Sequence, residues 1–315
     1  MIIGVVVATG ALLAAVYVVG NSWFQLVLAA MLGLVMAQVG FLSHEAAHRS
    51  IFSSAKWNEW VSRVLGGLLL GLSYQWWLNK HSVHHANPNK LGHDPDIDSK
   101  ALALTPEATD ARTGLAARLS KWQGFYFPAL LFFEGLVLYG SSIKIIFTAP
   151  GVKRRWVEIT FVSIRWVAYL AFLFIVLSPA LAVAFVAVQI GVFGFLLGGA
   201  FATNHIGMPI VARDADIDFL RRQVLMSRNV RGGIGVHFFL GGLEYQIEHH
   251  LFPTAPRPNL PALRLMVREF CDENGVEYTE TSLGEALATV VAYLNQVGLK
   301  NRDPFTCPLV RELRG

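Results

Sequence analysis

Four long apolar stretches limit what this chain can fold into. Ile2 to Gly20 and Trp23 to Leu42 open it, and Trp156 to Leu177 and Pro179 to Ala202 follow. Each is close to the ~20 residues that a helix needs to cross ~30 Å of hydrocarbon. Only Gly20-Asn21-Ser22 and Ser178-Pro179 separate the members of each pair, so both pairs read as tight helical hairpins. Composition agrees: 54% of residues are hydrophobic and only 15% charged, far from the balance of a soluble domain. No Lys or Arg precedes Arg49, so the first stretch lacks the basic start of a cleaved signal peptide and reads as a retained helix.

Seven of the ten histidines fall into three clusters: His44-Glu45-Ala46-Ala47-His48, His81-Ser82-Val83-His84-His85 and Gln246-Ile247-Glu248-His249-His250. On a helix, positions i, i+3 and i+4 project from one face, so each cluster is a single turn presenting its imidazoles in one direction. Neutral imidazole suits iron, zinc, copper and nickel, whereas magnesium and calcium want oxygen donors. Seven imidazoles exceed what one tetrahedral ion can use, and the count points to two metals. A metal-bound imidazole usually donates its other N–H to a carboxylate or carbonyl, which nominates Glu45, Asp94, Asp96, Asp98 and Glu248, although each taken singly also reads as a solvated surface acid.

Loop charge sets the orientation. The two short turns carry no charge, while Arg49, Lys56, Arg63, Lys80, Lys153, Arg154, Arg155 and an Arg-rich tail flank the other helix ends, the cytoplasmic pattern. Two more apolar stretches, Val61 to Leu78 and Phe125 to Phe147, are read as interfacial or buried helices. Ser62, Arg63, Glu134 and Lys144 interrupt them, and a crossing by the first alone would carry His81 to His85 away from His44 and His48. Even if both crossed, the middle cluster would stay isolated. Arg165 is costly to keep in lipid and is expected to pair with Glu134 or Glu158, or to snorkel. The fold expected is an all-α, multi-pass integral membrane protein. Its four spans, about 2–20, 23–43, 156–177 and 179–202, lie under a cytoplasmic helical cap of residues 44–155 and 203–315. Two amphipathic patterns in the tail, Ala262 to Glu273 and Leu283 to Val297, are expected to pack over the site. With no internal repeat or linker, 1–315 reads as a single domain.

The ordered set HEAAH, HSVHH and QIEHH resembles the histidine boxes of the membrane fatty acid desaturases, and Gln246 at the head of the third resembles their front-end branch. The resemblance spans nearly the whole chain. Asn87-Pro88 and Asp94-Pro95-Asp96-Ile97 after the second box, Gly241-Gly242-Leu243-Glu244-Tyr245 before the third and Leu251-Phe252-Pro253 after it are similar to the same branch. It implies a mushroom-shaped fold with four spans, a non-haem di-iron site and an acyl tunnel beneath it. It implies His44, His48, His81, His84, His85, His249 and His250 as ligands, with His205 of the Asn204-His205 pair as an eighth, and Asp94 and Asp96 as their supports. Gln246 stands where relatives have a third-box ligand, and whether it or Asn204 binds metal, directly or through water, is left open. His93 and His237 lie outside the matched positions and read as non-ligands. The implied reaction uses O2 and two electrons: the two iron ions activate dioxygen, one hydrogen and then its neighbour leave the chain, and a double bond and water result. A run of like methylenes offers no polar handle, so selectivity must come from tunnel length and bend. Trp57, Trp60, Tyr74, Trp76 and Trp77 are candidate lining residues or aromatic anchors at headgroup level.

Other classes share parts of this pattern. His44-Glu45-Ala46-Ala47-His48 is formally the HExxH of a zinc metalloprotease, a reading that leaves most of the other histidines idle. A di-iron lipid or alkyl hydroxylase would share ligands and oxidant, and a haem cytochrome would carry single axial histidines on its spans. The expected partners are membrane lipid and a fatty acyl substrate on coenzyme A, acyl-carrier protein or a lipid. The first span begins at Ile2, so a separate electron donor is expected, a ferredoxin or cytochrome b5 type with its reductase. Arg221, Arg222, Arg228, Arg231 and Arg257 are candidate contacts for that donor or for a substrate phosphate. No nucleic acid is expected. Cys271 and Cys307 have no CxxC spacing and imply neither a disulfide framework nor an iron–sulfur site.

Overall fold

The computed structural model describes residues 1–99 and 101–299, and Cys307 lies outside the described residues. In chain order the elements are α1 (Ile2–Val19), α2 (Gln25–Ala47), α3 (Ala55–Arg63), a π-helical turn (Val64–Leu70), α4 (Tyr74–Ala86), α5 (Pro106–Asp110), α6 (Gly114–Ser120), α7 (Gln123–Thr148), α8 (Arg155–Val176) and α9 (Pro179–His205). After these come α10 (Phe219–Leu225), β1 (Asn229–Arg231), α11 (Ile234–Leu240), α12 (Gln246–Leu251), a 3-10 turn (Arg257–Asn259), α13 (Leu260–Glu273), β2 (Glu280–Ser282) and α14 (Leu283–Gly298). The described residues are mostly helical, with a two-stranded addition to the all-α expectation. β1 and β2 form a parallel pair, Asn229 opposite Glu280, too short for an alternating pattern to announce it.

The chain packs as two compact units. The first comprises residues 1–79 and 130–199, the second residues 80–129 and the described residues from 200 onward.

In the first unit, the buried Gln25 closes the α1–α2 hairpin by donating to Val16 O at 2.8 Å and Gly20 O at 2.7 Å. Ser178 N donates to Asn21 Oδ1 at 2.8 Å, so the two uncharged turns lie at the same end. Among the described residues, five helices are long and apolar enough to cross a membrane: the four expected and α7. The stretch Val61 to Leu78 is not one helix. The π-helical turn stops at Gly71, whose φ of +96° and whose closeness to Trp166 (a Cβ there would lie 2.9 Å from Nε1) both call for glycine. Helix α4 starts afresh after it, with Trp76 N donating to Ser73 Oγ. Arg165 does not pair with Glu158. Its Nε donates to Leu69 O at 2.7 Å and its guanidinium lies 3.9 Å from the centre of the Tyr169 ring, while Glu158 is taken by the buried Arg63.

The core of the second unit gathers Val211, Ile217, Val224, Leu225, Met226, Ile247, Val267, Cys271 and Val276. Both amphipathic tail patterns are helices there, α13 and α14. Ser282 starts α14 with a capping box closed by Glu285.

Candidate metal centre

The first unit carries the first box. His44 lies in the last turn of α2 and His48 caps it, their ring centres 4.7 Å apart. Trp77 packs edge-on to both, at 5.0 and 5.9 Å. Burial pulls the His48 pKa down to about 3, leaving a neutral ring. The other aromatic candidates diverge: Trp76 is buried, Trp57 is exposed, Trp60 lies under Arg154, and Tyr74 lies under Arg63.

The second unit brings together the second box on α4, the third on α12 and His205 at the end of α9. The ligand nitrogens of His84, His205 and His250 lie within 4.8 Å of one another, all three residues buried. Each ring is oriented through Nδ1 by a different acceptor. His84 Nδ1 donates to Asp94 at 3.0 Å, His205 Nδ1 to Met226 O at 3.1 Å and His250 Nδ1 to Gln223 Oε1 at 3.0 Å. A proton held on Nδ1 leaves Nε2 with a free lone pair, the form a metal needs. Among the described residues, His84 Nε2 and His250 Nε2 have no hydrogen-bond partner although both are buried. Beside them His85 Nε2 faces His81 Nε2 at 2.9 Å and His249 Nε2 at 3.1 Å. Converging imidazole nitrogens are what a cation would satisfy, and the donor set suits iron or zinc.

Asp94 is pinned in its turn by Asn89 N at 2.7 Å and Asp96 N at 2.9 Å. Burial works against a charge on His84, but the hydrogen bond and charge of Asp94, helped by Asp96, outweigh it and raise the pKa. Burial and the surrounding imidazoles push His250 well below its ordinary value. Asp96 stands 3.5 Å from His84 Nδ1 and is engaged by Lys80, so Asp94 is the residue that holds the ring.

Some expected roles change. Glu248 is neither a surface acid nor a histidine partner: it is buried and held by Asn229 Nδ2 at 2.7 Å and the Tyr278 hydroxyl at 2.8 Å. Arg228 and Arg257 are buried and cannot dock a partner. Arg228 donates from Nε to Thr203 O at 2.8 Å and from Nη2 to Ile206 O at 3.1 Å, closing the last turn of α9 around His205. Arg221 is paired with Asp218, and Arg231 stays exposed near Glu285. Asp98 is exposed, as is His93, which contacts Leu91 O. His237 pairs with Glu244 outside the metal-capable groups.

Gln223, Met226, Asn229 and Tyr278 escaped the sequence reading, for no local pattern marks them. Asn229 also accepts from Ile247 N at 2.9 Å, so it holds the third box from behind. Replacing it by alanine strands that N–H and one oxygen of the Glu248 carboxyl in a dry interior. The expected cost is about 2–3 kcal/mol, read as a lower melting temperature of the detergent-solubilised protein.

The family model for fatty acid desaturases matches residues 21–282. The chain is 32% identical over 279 residues to an acyl-lipid (9-3)-desaturase of Physcomitrium patens, covering 85% of this chain and 52% of that protein. It is 31% identical over 284 residues to a delta(8) fatty acid desaturase of Euglena gracilis, covering 84% and 66%. A delta(6) fatty acid desaturase of Caenorhabditis elegans is 32% identical over 265 residues, covering 79% and 59%. The chain thus spans 52% to 66% of the length of these relatives.

Proposed function

Because the chain belongs to the fatty acid desaturase family, we propose that it inserts a double bond into a fatty acyl chain, consuming O2 and two electrons at a pair of iron ions. The observation that carries this is the buried His84–His205–His250 set, each ring turned by an Nδ1 acceptor so that Nε2 is offered to an ion. His44, His48, His81, His85 and His249 complete the proposed ligands, within one desaturase domain over 1–315. Iron, when bound, supplies the dioxygen chemistry that no side chain can perform. The residues do the rest: Asp94, Met226 O and Gln223 keep the protons on Nδ1, Asp96 braces Asp94, and burial keeps bulk water away. Trp76 and Trp77 are proposed to bound the acyl tunnel. The named relatives include delta(6) and delta(8) enzymes, which favours action between an existing double bond and the carboxyl end. A ferredoxin or cytochrome b5 type donor is proposed to supply the electrons, and the acyl group to arrive on coenzyme A, a carrier protein or a lipid.

Four spans with a cytoplasmic site are part of the proposal. The His84 and His205 rings are 4.6 Å apart, which supports an even number of crossings between α4 and the end of α9 and argues against α7, α8 and α9 all crossing. Within the first unit, Ser43 of α2 meets Ser62 of α3, and α3 holds the start of α8 through Arg63–Glu158 and Glu59–Arg154. Helix α8 therefore starts at the His44 end, which supports α8 and α9 as the crossing pair and α7 as the apolar helix that returns to its own side. The positive flanks favour the cytoplasm for that side.

The test is mass spectrometry of acyl chains, with double-bond localisation, from cells expressing wild type or His250→Ala alongside a ferredoxin and its reductase. The expected product, seen only with wild type, is lighter than its precursor by two hydrogens. A product heavier by one oxygen overturns desaturation in favour of hydroxylation. A second expectation concerns the metal: chelation abolishes turnover, ferrous ion restores it, and zinc, which has no redox chemistry, does not.

A further inference from the structure

We propose that Gln246 serves this site as a hydrogen-bond donor and not as a metal ligand, its carbonyl oxygen being held away by Asn204. Which way a carboxamide points is decided by what its neighbours can accept. Leu243 O is a backbone carbonyl and only accepts, so the Asn204 atom 2.8 Å from it is the amide nitrogen. The second hydrogen of that nitrogen is directed at Gln246, 3.0 Å away, and must meet the Gln246 oxygen. Gln246 Nε2 is thereby turned to His205 Nε2, at 2.9 Å. The other end of the chain leads to the same answer. Met226 O can only accept, so His205 Nδ1, 3.1 Å from it, carries the ring proton and Nε2 is an acceptor.

Two backbone carbonyls thus fix the polarity independently. A flipped Gln246 would set its oxygen against the His205 lone pair and its NH2 against the NH2 of Asn204. Asn204, His205 and Gln246 are 0%, 2% and 4% exposed, so no bulk water absorbs that mismatch. Carboxamides bind iron through oxygen, and this oxygen is already engaged. An ion held by His205 Nε2 would take the acceptor of the Gln246 N–H, which would then be available to an oxygen acceptor such as a water molecule. The third box then contributes two ligands and one donor.

This assignment rests on the proposed metal site, and the experiment separates the two. Full-length protein, purified in detergent and loaded anaerobically with ferrous ion, is assayed for iron per chain, iron affinity by chelator competition, and turnover. In Gln246→Ala, iron content and affinity stay within about twofold of wild type while turnover falls about 10- to 100-fold with KM unchanged, the pattern of a lost supporting contact. In Gln246→Glu, which places an oxygen where the N–H stands, iron is likewise retained and turnover is not rescued. Loss of iron in Gln246→Ala, or wild-type turnover in Gln246→Glu, makes the residue an oxygen ligand and overturns the assignment. His205→Ala is the reference: loss of about one iron per chain upholds the metal site. Unchanged iron there brings down the metal site and the donor role with it.

Discussion

His84→Ala is expected to lower turnover at least ~1000-fold, the scale of losing metal-borne chemistry worth several kcal/mol. Iron content should fall from about two ions per chain to about one, because a three-histidine set that loses a member no longer holds its ion. The fold should survive. Asp94, the partner of His84, keeps the N–H groups of Asn89 and Asp96 when the imidazole goes, so no buried carboxylate is orphaned. The measurement is acyl-chain product together with iron per chain on the same preparation, with the exposed His93→Ala as a control that changes neither. Full turnover in His84→Ala would remove this set from the chemistry.

The second large effect is on stability. Arg63 is buried, paired with Glu158 of α8 and with Glu59, and lies over the Tyr74 ring. Arg63→Ala leaves the buried Glu158 without its counter-charge, supported only by Ser73 and the N–H groups of Tyr74 and Gln75, a loss of about 3–5 kcal/mol. Replacing both partners, Arg63→Met with Glu158→Gln, should recover most of this, because a buried ion pair exchanged for neutral groups of similar volume is often close to neutral. Thermal unfolding of Arg63→Met, Glu158→Gln and their double variant in one detergent completes the cycle. Additive losses in the double variant would show that the pair is not coupled.

Local signals carried much of this protein. A long apolar helix announces itself by a long run of apolar residues with few charges, which is why α1, α2, α8 and α9 begin and end within a few residues of the expected limits. A histidine comb announces itself by spacing within one turn, so all three boxes were visible, and Asp94 could be nominated because only ten residues separate it from His84. Helix α7 was ambiguous for a physical reason: an apolar helix has the same composition whether it crosses or returns. Val61 to Leu78 misled for the opposite reason, since its apolar content hid a glycine break that only Trp166 packed against Gly71 makes evident.

Sequence alone therefore determined the long apolar helices, the three combs and the family, because each is written in residues a few positions apart. Tertiary structure alone decided which nitrogen each imidazole offers and which way the Gln246 amide faces. Those choices depend on single acceptors, Gln223, Met226 O and Leu243 O, supplied from other elements of the same unit. Hydrogen-bond polarity is a property of the folded neighbourhood, and no spacing rule encodes it.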